Sequence, residues 1–251
     1  MRIVLVRHGE SEGNIDDSRY ADVGDAHIGL TENGQLQLED TGKFLRYYYR
    51  VHARGESDQP QRIWVSPYKR TEQSAALALQ AFNGAALDVR RDRRLVEQSY
   101  GLLPFAARSS NPKHHDLIKA LAEISREVHK KDPFLSVPPL GEAPVTHHAR
   151  VGHFLDRVES DRARLGIEDI LIISHGATNK HIIMHLMDLP FSAWKEIELQ
   201  NNGDVTVVED RGEGWTVRKI YDGPSRRIAL RDPLKNVKLM PVSGLSALTS
   251  R

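Results

Sequence analysis

Ile3 to Val6 form a run with no polar position, and "RIWVS" at 62–66 and "DILIIS" at 169–174 read likewise. A strand with one wet face would alternate, so continuous runs predict strands buried on both faces of a parallel sheet. Each run leads into a polar signature and then into helical periodicity. The signatures are Arg7-His8-Gly9, Ser66-Pro67-Tyr68-Lys69-Arg70 and Ser174-His175-Gly176. Strand, polar loop and helix in that order are the α/β pattern.

Helices follow from spacing. Leu38, Leu45, Tyr48 and Tyr49 share a face in 32–52, and Leu117, Ile118, Leu121, Ile124 and Val128 share one in 114–130. Val151, Phe154, Leu155, Val158, Arg162 and Leu165 mark a third, and a fourth is predicted over 177–188. "DVTVVED", a turn with Gly212 and Gly214, then "WTVRKIY" read as a late hairpin. The expected fold is a three-layer α/β domain, a mainly parallel sheet with helices on both faces, over residues 1–225. Residues 103–149, rich in Pro, Ser and His around one helix, read as an insertion forming a lid or pocket wall. Residues 226–251 read as a basic, solvated tail.

Composition narrows the classes. The 251 residues carry 39% hydrophobic and 27% charged side chains, with no apolar stretch long enough for a membrane span. A net charge of +1 gives no bulk electrostatic case for nucleic-acid binding. With no cysteine, thiolate nucleophiles and cysteine-ligated metals drop out. The chain enters "RIVLV" directly, without the order of a signal peptide, so a cytoplasmic location is expected. Oligomeric state is unread, with a homodimer left open.

In open α/β sheets ligands bind beyond the carboxyl ends of the strands. The three strand-end signatures should therefore bring Arg7, His8, Arg70 and His175 to one crevice. Two guanidiniums and two imidazoles suit a phosphoryl group, because guanidinium forks match tetrahedral oxyanions. A neutral, oriented imidazole can attack phosphorus once that charge is compensated. The leaving oxygen then needs a proton, for which Glu97 in "RRLVEQSYG" is the candidate, with Asp92 and Glu142 as rivals. Ser11 and Asn14 can supply neutral donors, and Gly9 and Gly176 permit close approach of backbone to ligand.

"RHGE" with Asn14 six residues after His8, "LTENGQLQ", "SPYKRTEQSA", "LVEQSYG" and "ISHGAT", in that order, resemble the histidine phosphatase superfamily, also called phosphoglycerate mutase-like. The resemblance implies that His8 becomes a phosphohistidine. Arg7, Arg70 and His175 would form the phosphate pocket with Asn14 as a further contact, and Glu97 would act first as acid, then as base toward water. Neither metal nor organic cofactor is implied. The partner implied is a small-molecule or protein phosphoester.

Within the superfamily, mutases carry a tryptophan just before the asparagine where this chain has Gly13, so a phosphatase resembling the broad-range acid phosphatases is favoured. Mutase-type phosphoryl transfer and a non-catalytic phospho-ligand module are the alternatives. Where relatives read Gly-Glu-Ser, this chain has Gly141-Glu142-Ala143, then Thr146 and Arg150, which puts the loop cap there in question. His181 and His185 stand at metal-ligand spacing but without the third ligand a site needs, and they read as a packed or surface pair. His114-His115 and His147-His148 read as solvent-facing. Tyr47, Tyr48 and Tyr49 read as packing and surface positions of one helix.

Overall fold

The computed structural model describes residues 1–54, 57–107 and 112–234. Among these described residues seven strands form one sheet: β1 (Arg2–Arg7), β2 (Arg62–Val65), β3 (Val89–Arg91), β4 (Asp169–Ser174), β5 (Val205–Asp210), β6 (Trp215–Asp222) and β7 (Arg227–Arg231). Their order is β3-β2-β4-β1-β5-β6-β7. The first four run parallel, and β5, β6 and β7 extend the sheet antiparallel.

The uninterrupted apolar runs do what such runs must: Ile3 to Val6 and Ile170 to Ile173 have no exposed surface. Successive side chains point to opposite faces, so each strand feeds two cores. Ile3, Leu5, Ile170 and Ile172 face one layer of helices, with Val151, Phe154 and Val158 of α6 (Pro144–Leu165) and Ile182 and Ile183 of α7 (Gly176–Leu186). Val4, Val6, Leu171 and Ile173 face the other, with Leu38, Leu45 and Tyr49 of α3 (Glu32–Val51) and Ala75 and Ala78 of α4 (Lys69–Leu79). Two short helices, α1 (Glu12–Ile15) and α2 (Arg19–Asp22), fill the loop after β1. Among the described residues no helix is long and apolar enough to cross a membrane.

Four features depart from the sequence reading or add to it. β3 was not foreseen: it is three residues long, lies at the sheet edge and is largely exposed, so no burial pattern marks it. β7 falls in the stretch read as tail; it pairs with β6, so the sheet runs to Arg231, and 235–251 lie outside the described residues. The insertion ends earlier than 149, because Pro144 opens α6 at a position where its missing N–H costs nothing. Finally, α5 (Pro112–Lys131) is the helix foreseen at 114–130, but its apolar face is not covered by the sheet. Leu117, Ile124 and Val128 are 59%, 60% and 46% exposed, since α5 packs chiefly on the turn at 103–107.

Candidate active site

β1 and β4 are neighbours with Arg7 opposite Ser174, so the next residue on each, His8 and His175, must also be neighbours. The His8 N–H donates to the Ser174 carbonyl at 3.0 Å, and the two rings stand 5.2 Å apart, edge to face. That separation is close to the strand spacing of about 4.8 Å. Both rings are buried.

The other strand ends complete the site. After β2, Ser66 sits 2.8 Å from His175 Nε2 through its hydroxyl. Arg70 enters on the first turn of α4, buried, its guanidinium 5.0 Å from the Tyr68 ring and 2.7 Å from both the carbonyl and the carboxylate of Asp25. Arg7 donates through Nη1 to the Gln200 carbonyl at 2.5 Å. Among the described residues the Nε atoms of Arg7 and Arg70 and Nδ1 of His175 are buried without a partner. Polar groups withdrawn from water are rarely left so unless something else binds them.

Glu97 arrives from the unforeseen β3. The loop after it places Glu97 at the N-terminus of α7, where Oε2 accepts from the Ala177 N–H at 3.3 Å and Oε1 from the Gln98 N–H at 3.1 Å. The Thr178 hydroxyl lies 3.4 Å from Oε1 and 3.0 Å from the Val96 carbonyl, and His147 Nε2 meets that hydroxyl at 3.1 Å. The rival carboxylates are spent elsewhere: Asp92 holds Arg94, and Glu142 holds Arg150 through two bonds of 2.9 and 2.7 Å. Arg150 also donates to the carbonyls of Arg94 and Val96, so the Glu142-Arg150 pair braces the Glu97 segment despite Ala143 in place of serine.

Arg7, His8, Asn14, Arg70 and Glu97 line one cavity of about 720 Å³, walled by Tyr20, Tyr68, Tyr100, Phe105 and Trp194. Leu103, Pro104 and Phe105 of the insertion are among its walls, so that segment does border the pocket. Gly13 is what lets Tyr20 close over the site: a Cβ there would meet the Tyr20 ring at 2.8 Å.

Burial, with Arg70 and Arg7 nearby, holds His8 well below the ordinary imidazole range, and burial and Arg70 do the same to His175. Both rings are therefore neutral near pH 7. The His8 Nδ1 lies 2.7 Å from the Gly9 carbonyl, which fixes the proton on Nδ1 and leaves Nε2 with its lone pair. Burial pushes Glu97 up, against the opposing pull of its hydrogen bonds and Arg70. A neutral imidazole, two guanidiniums and a carboxyl held toward its protonated form can together transfer a phosphoryl group.

Some sequence-predicted residues take other roles. Ser11 is fully buried and does not reach the cavity: it caps α1, giving its hydroxyl and N–H to Asn14 Oδ1, both at 3.0 Å. Asn14 does line the cavity, and with Oδ1 so engaged its amide NH₂ is the group left for an anion. Gly9 serves α3 rather than a ligand, since a Cβ there would stand 2.4 Å from the Gly34 carbonyl oxygen. His147 is not solvent-facing but buried, His181 is buried as a packed residue, and with His148 and His185 they form one stack of edge-to-face and parallel rings behind the site. Among the described residues no group of three or more His, Asp or Glu is placed to hold a metal. The side chain of His114 lies outside the described residues.

Asn202 escaped sequence reading. Its amide donates to the His8 carbonyl at 3.1 Å, the Gly9 carbonyl at 3.2 Å and Asn14 Oδ1 at 3.0 Å, pinning the loop that carries the imidazole. The only trace in the sequence is "QNNGD", an ordinary turn signal before β5.

Residues 3–223 match the family described as "Histidine phosphatase superfamily (branch 1)". Phosphoglycerate mutase-like protein AT74 of Arabidopsis thaliana is 28% identical over 83% of the chain, and the chain spans 64% of that protein's length. The 2,3-bisphosphoglycerate-dependent phosphoglycerate mutase of Mycobacterium leprae is 26% identical, over 74% of the chain and 77% of the mutase. Among solved structures, the alpha-ribazole phosphatase from Shigella flexneri superposes with a TM-score of 0.67 over 92% of this chain and 100% of that one. At 22% identity this is a likeness of fold.

Proposed function

Because the chain belongs to the histidine phosphatase superfamily (branch 1), we propose that it is a phosphomonoesterase working through a phosphohistidine on His8. The observation that carries the reading is the set of unpartnered polar atoms around His8: Arg7 Nε, Arg70 Nε and His175 Nδ1. With the Ser66 hydroxyl donating to His175 Nε2, Nδ1 holds the ring proton and can give it to a phosphoryl oxygen.

His8 Nε2 attacks phosphorus in line with the ester oxygen, forming the P–N bond as the P–O bond breaks. Charge on the phosphoryl oxygens is met by Arg7, Arg70, His175 and the Asn14 amide. Glu97 gives its proton to the leaving oxygen, and the alcohol departs. The Glu97 carboxylate then takes a proton from water, whose oxygen attacks phosphorus; the P–N bond breaks and inorganic phosphate leaves with His8 and Glu97 restored. The proposal extends to a cytoplasmic setting and to a small-molecule or protein phosphoester as substrate.

Supporting hydrolysis over transfer between positions of one substrate is Gly13, over which Tyr20 closes. A panel of phosphoesters assayed beside His8→Ala tests the reading. Wild type should release inorganic phosphate and carry an acid-labile, base-stable label that His8→Ala lacks. An isomeric ester as product would favour the mutase reading, and normal turnover by His8→Ala would overturn the mechanism.

A further inference from the structure

Among the described residues five cationic side chains are almost wholly withdrawn from solvent: Arg2, Arg62, Arg70, Lys180 and Lys219. Four of them meet carboxylates. Arg2 pairs with Asp169, Arg62 with Asp161 and Asp88, Arg70 with Asp25, and Lys219 with Asp204 and Asp222. Lys180 is the exception: 8% exposed, it has no carboxylate partner among the described residues. Its ammonium stands 4.2 Å from the centre of the Trp194 ring, and both residues line the cavity that holds His8 and Glu97.

Burying an ammonium is costly, and a cation–π contact offsets only part of that cost. Burial accordingly pulls Lys180 down to about 8, which leaves it largely cationic near pH 7. An apolar side chain would cover Trp194 without that cost. A charge retained at such expense beside a ligand cavity points to an anion that arrives with the ligand.

Position tells which part of the ligand. Gly176, on the first turn of α7, would bring a Cβ to 3.5 Å from Arg7 Nε, and Ala177 gives its N–H to Glu97, the group proposed to protonate the leaving oxygen. Lys180 lies four residues beyond Gly176, on the same helix face and about 6 Å further along the axis. Lining the same cavity as Glu97 one turn beyond Gly176, it meets the part of a ligand that extends past the phosphoryl group.

We propose that Lys180, backed by Trp194, is a second anion subsite, and that the substrates are phosphomonoesters whose alcohol portion carries a second anionic group about one helical turn from the ester. This rests on the phosphomonoesterase reading and adds the substrate class to it. A carboxylate and a second phosphate share the required chemistry; the two are separated by experiment.

Butyl phosphate, 4-phosphooxybutanoate and butane-1,4-bisphosphate form a matched series, since four carbons best fit one turn. Wild type should prefer the two doubly anionic esters by tenfold or more in kcat/KM, the effect of one charge-assisted bond. The larger ratio identifies the terminal group preferred. Lys180→Met should bring the ratios to within about twofold of one, while Lys180→Arg keeps them, with circular dichroism checking that each variant is folded. A lysine that merely covers Trp194 predicts the same ratios in Lys180→Met as in wild type, and that result overturns the proposal.

Binding provides an arm that does not need catalysis. Titration calorimetry of butylphosphonate and 4-phosphonobutanoate into His8→Ala, with and without Lys180→Met, should show tighter binding of the second ligand only while Lys180 is present. Equal affinities in both proteins also overturn the subsite. Failure of wild type to release phosphate from any ester, with that binding difference intact, would instead remove the hydrolase reading and leave the subsite standing.

Discussion

Replacing Glu97 by glutamine keeps the length of the side chain and one acceptor oxygen while removing the proton it is proposed to give. Its three contacts in the native fold, from Gln98, Ala177 and Thr178, are 3.1 to 3.4 Å long, so the folded state loses little when one of them changes partner. The cost falls on the reaction. A positioned general acid contributes roughly 10²–10⁴-fold, or about 3–5 kcal/mol of barrier at about 1.36 kcal/mol per decade. For an alkyl phosphate, whose alkoxide cannot depart unprotonated, Glu97→Gln should lower kcat/KM by about that factor.

A 2,4-dinitrophenyl ester separates protonation from mere shaping of the pocket. Its phenolate leaves without a proton, so phosphorylation of His8 in Glu97→Gln should be slowed by less than about tenfold. Hydrolysis of the phosphohistidine still needs a base, so the labelled protein should accumulate after a stoichiometric burst of phenolate. Glu97 must be protonated in the free enzyme, and burial raises its pKa. Wild-type kcat/KM on the alkyl ester should therefore fall as pH rises through that raised value, a limb the variant lacks. Equal losses of kcat/KM on both esters would refute the assignment, because a residue that only shapes the site does not sense the leaving group's basicity.

Thr178→Val removes the hydroxyl shared by His147, Val96 and Glu97. It should lower kcat/KM on the alkyl ester about tenfold and move the alkaline limb to higher pH, since loss of a donor disfavours the carboxylate; an unmoved limb would mean the hydroxyl serves Val96 alone. The histidine stack predicts acid sensitivity. Burial pulls His147 down to about 2 and His181 to about 3, whereas the unfolded chain titrates near 6.5. As pH falls below that, the unfolded state takes up protons that the folded state refuses, and stability should drop by up to about 1.4 kcal/mol per pH unit for each ring. Urea unfolding at pH 7 and pH 5 reads the drop, His181→Gln should reduce it, and equal stability at the two pH values would contradict it.

What the sequence disclosed follows from how each feature is built. β1 and β4 were legible because strands buried on both faces are apolar throughout. Arg7, His8, Arg70 and His175 were legible because they close such a strand, follow it directly, or open the helix after it, and parallel pairing turns proximity to a strand end into proximity in space. β3 and β7 are short or exposed edges and leave no pattern. Glu97 was picked out by its motif while the strand that delivers it went unseen. Asn202 and Lys180 were missed for another reason: neither lies at a strand end of the parallel core, and each acquires its meaning from a tertiary contact, with the His8 loop in one case and with Trp194 in the other. Ser11 was overread because a hydroxyl that caps a helix and one that binds phosphate look alike in sequence.

The two arginines of the site act in opposite senses on the two groups proposed to exchange protons and phosphoryl groups. Their field helps keep His8 neutral, as a nucleophile must be, and it draws Glu97 toward the carboxylate, which an acid must not be. Burial, the larger influence on both, favours the neutral form of each and so sides with catalysis in both cases. A phosphoryl dianion between the guanidiniums cancels much of their field just where it opposes protonation. Glu97 then holds its proton more firmly with substrate bound than without, while burial and the Gly9 carbonyl still keep the His8 lone pair on Nε2. Once the leaving group has taken the proton, the proposed mechanism leaves the carboxylate beside a phosphohistidine whose charge the same arginines offset, where it would serve as the base of the second step. In the proposed mechanism the acid and the base are thus one residue whose protonation is set by which phosphoryl species occupies the pocket, and that role calls for guanidiniums close enough to be neutralised by that species.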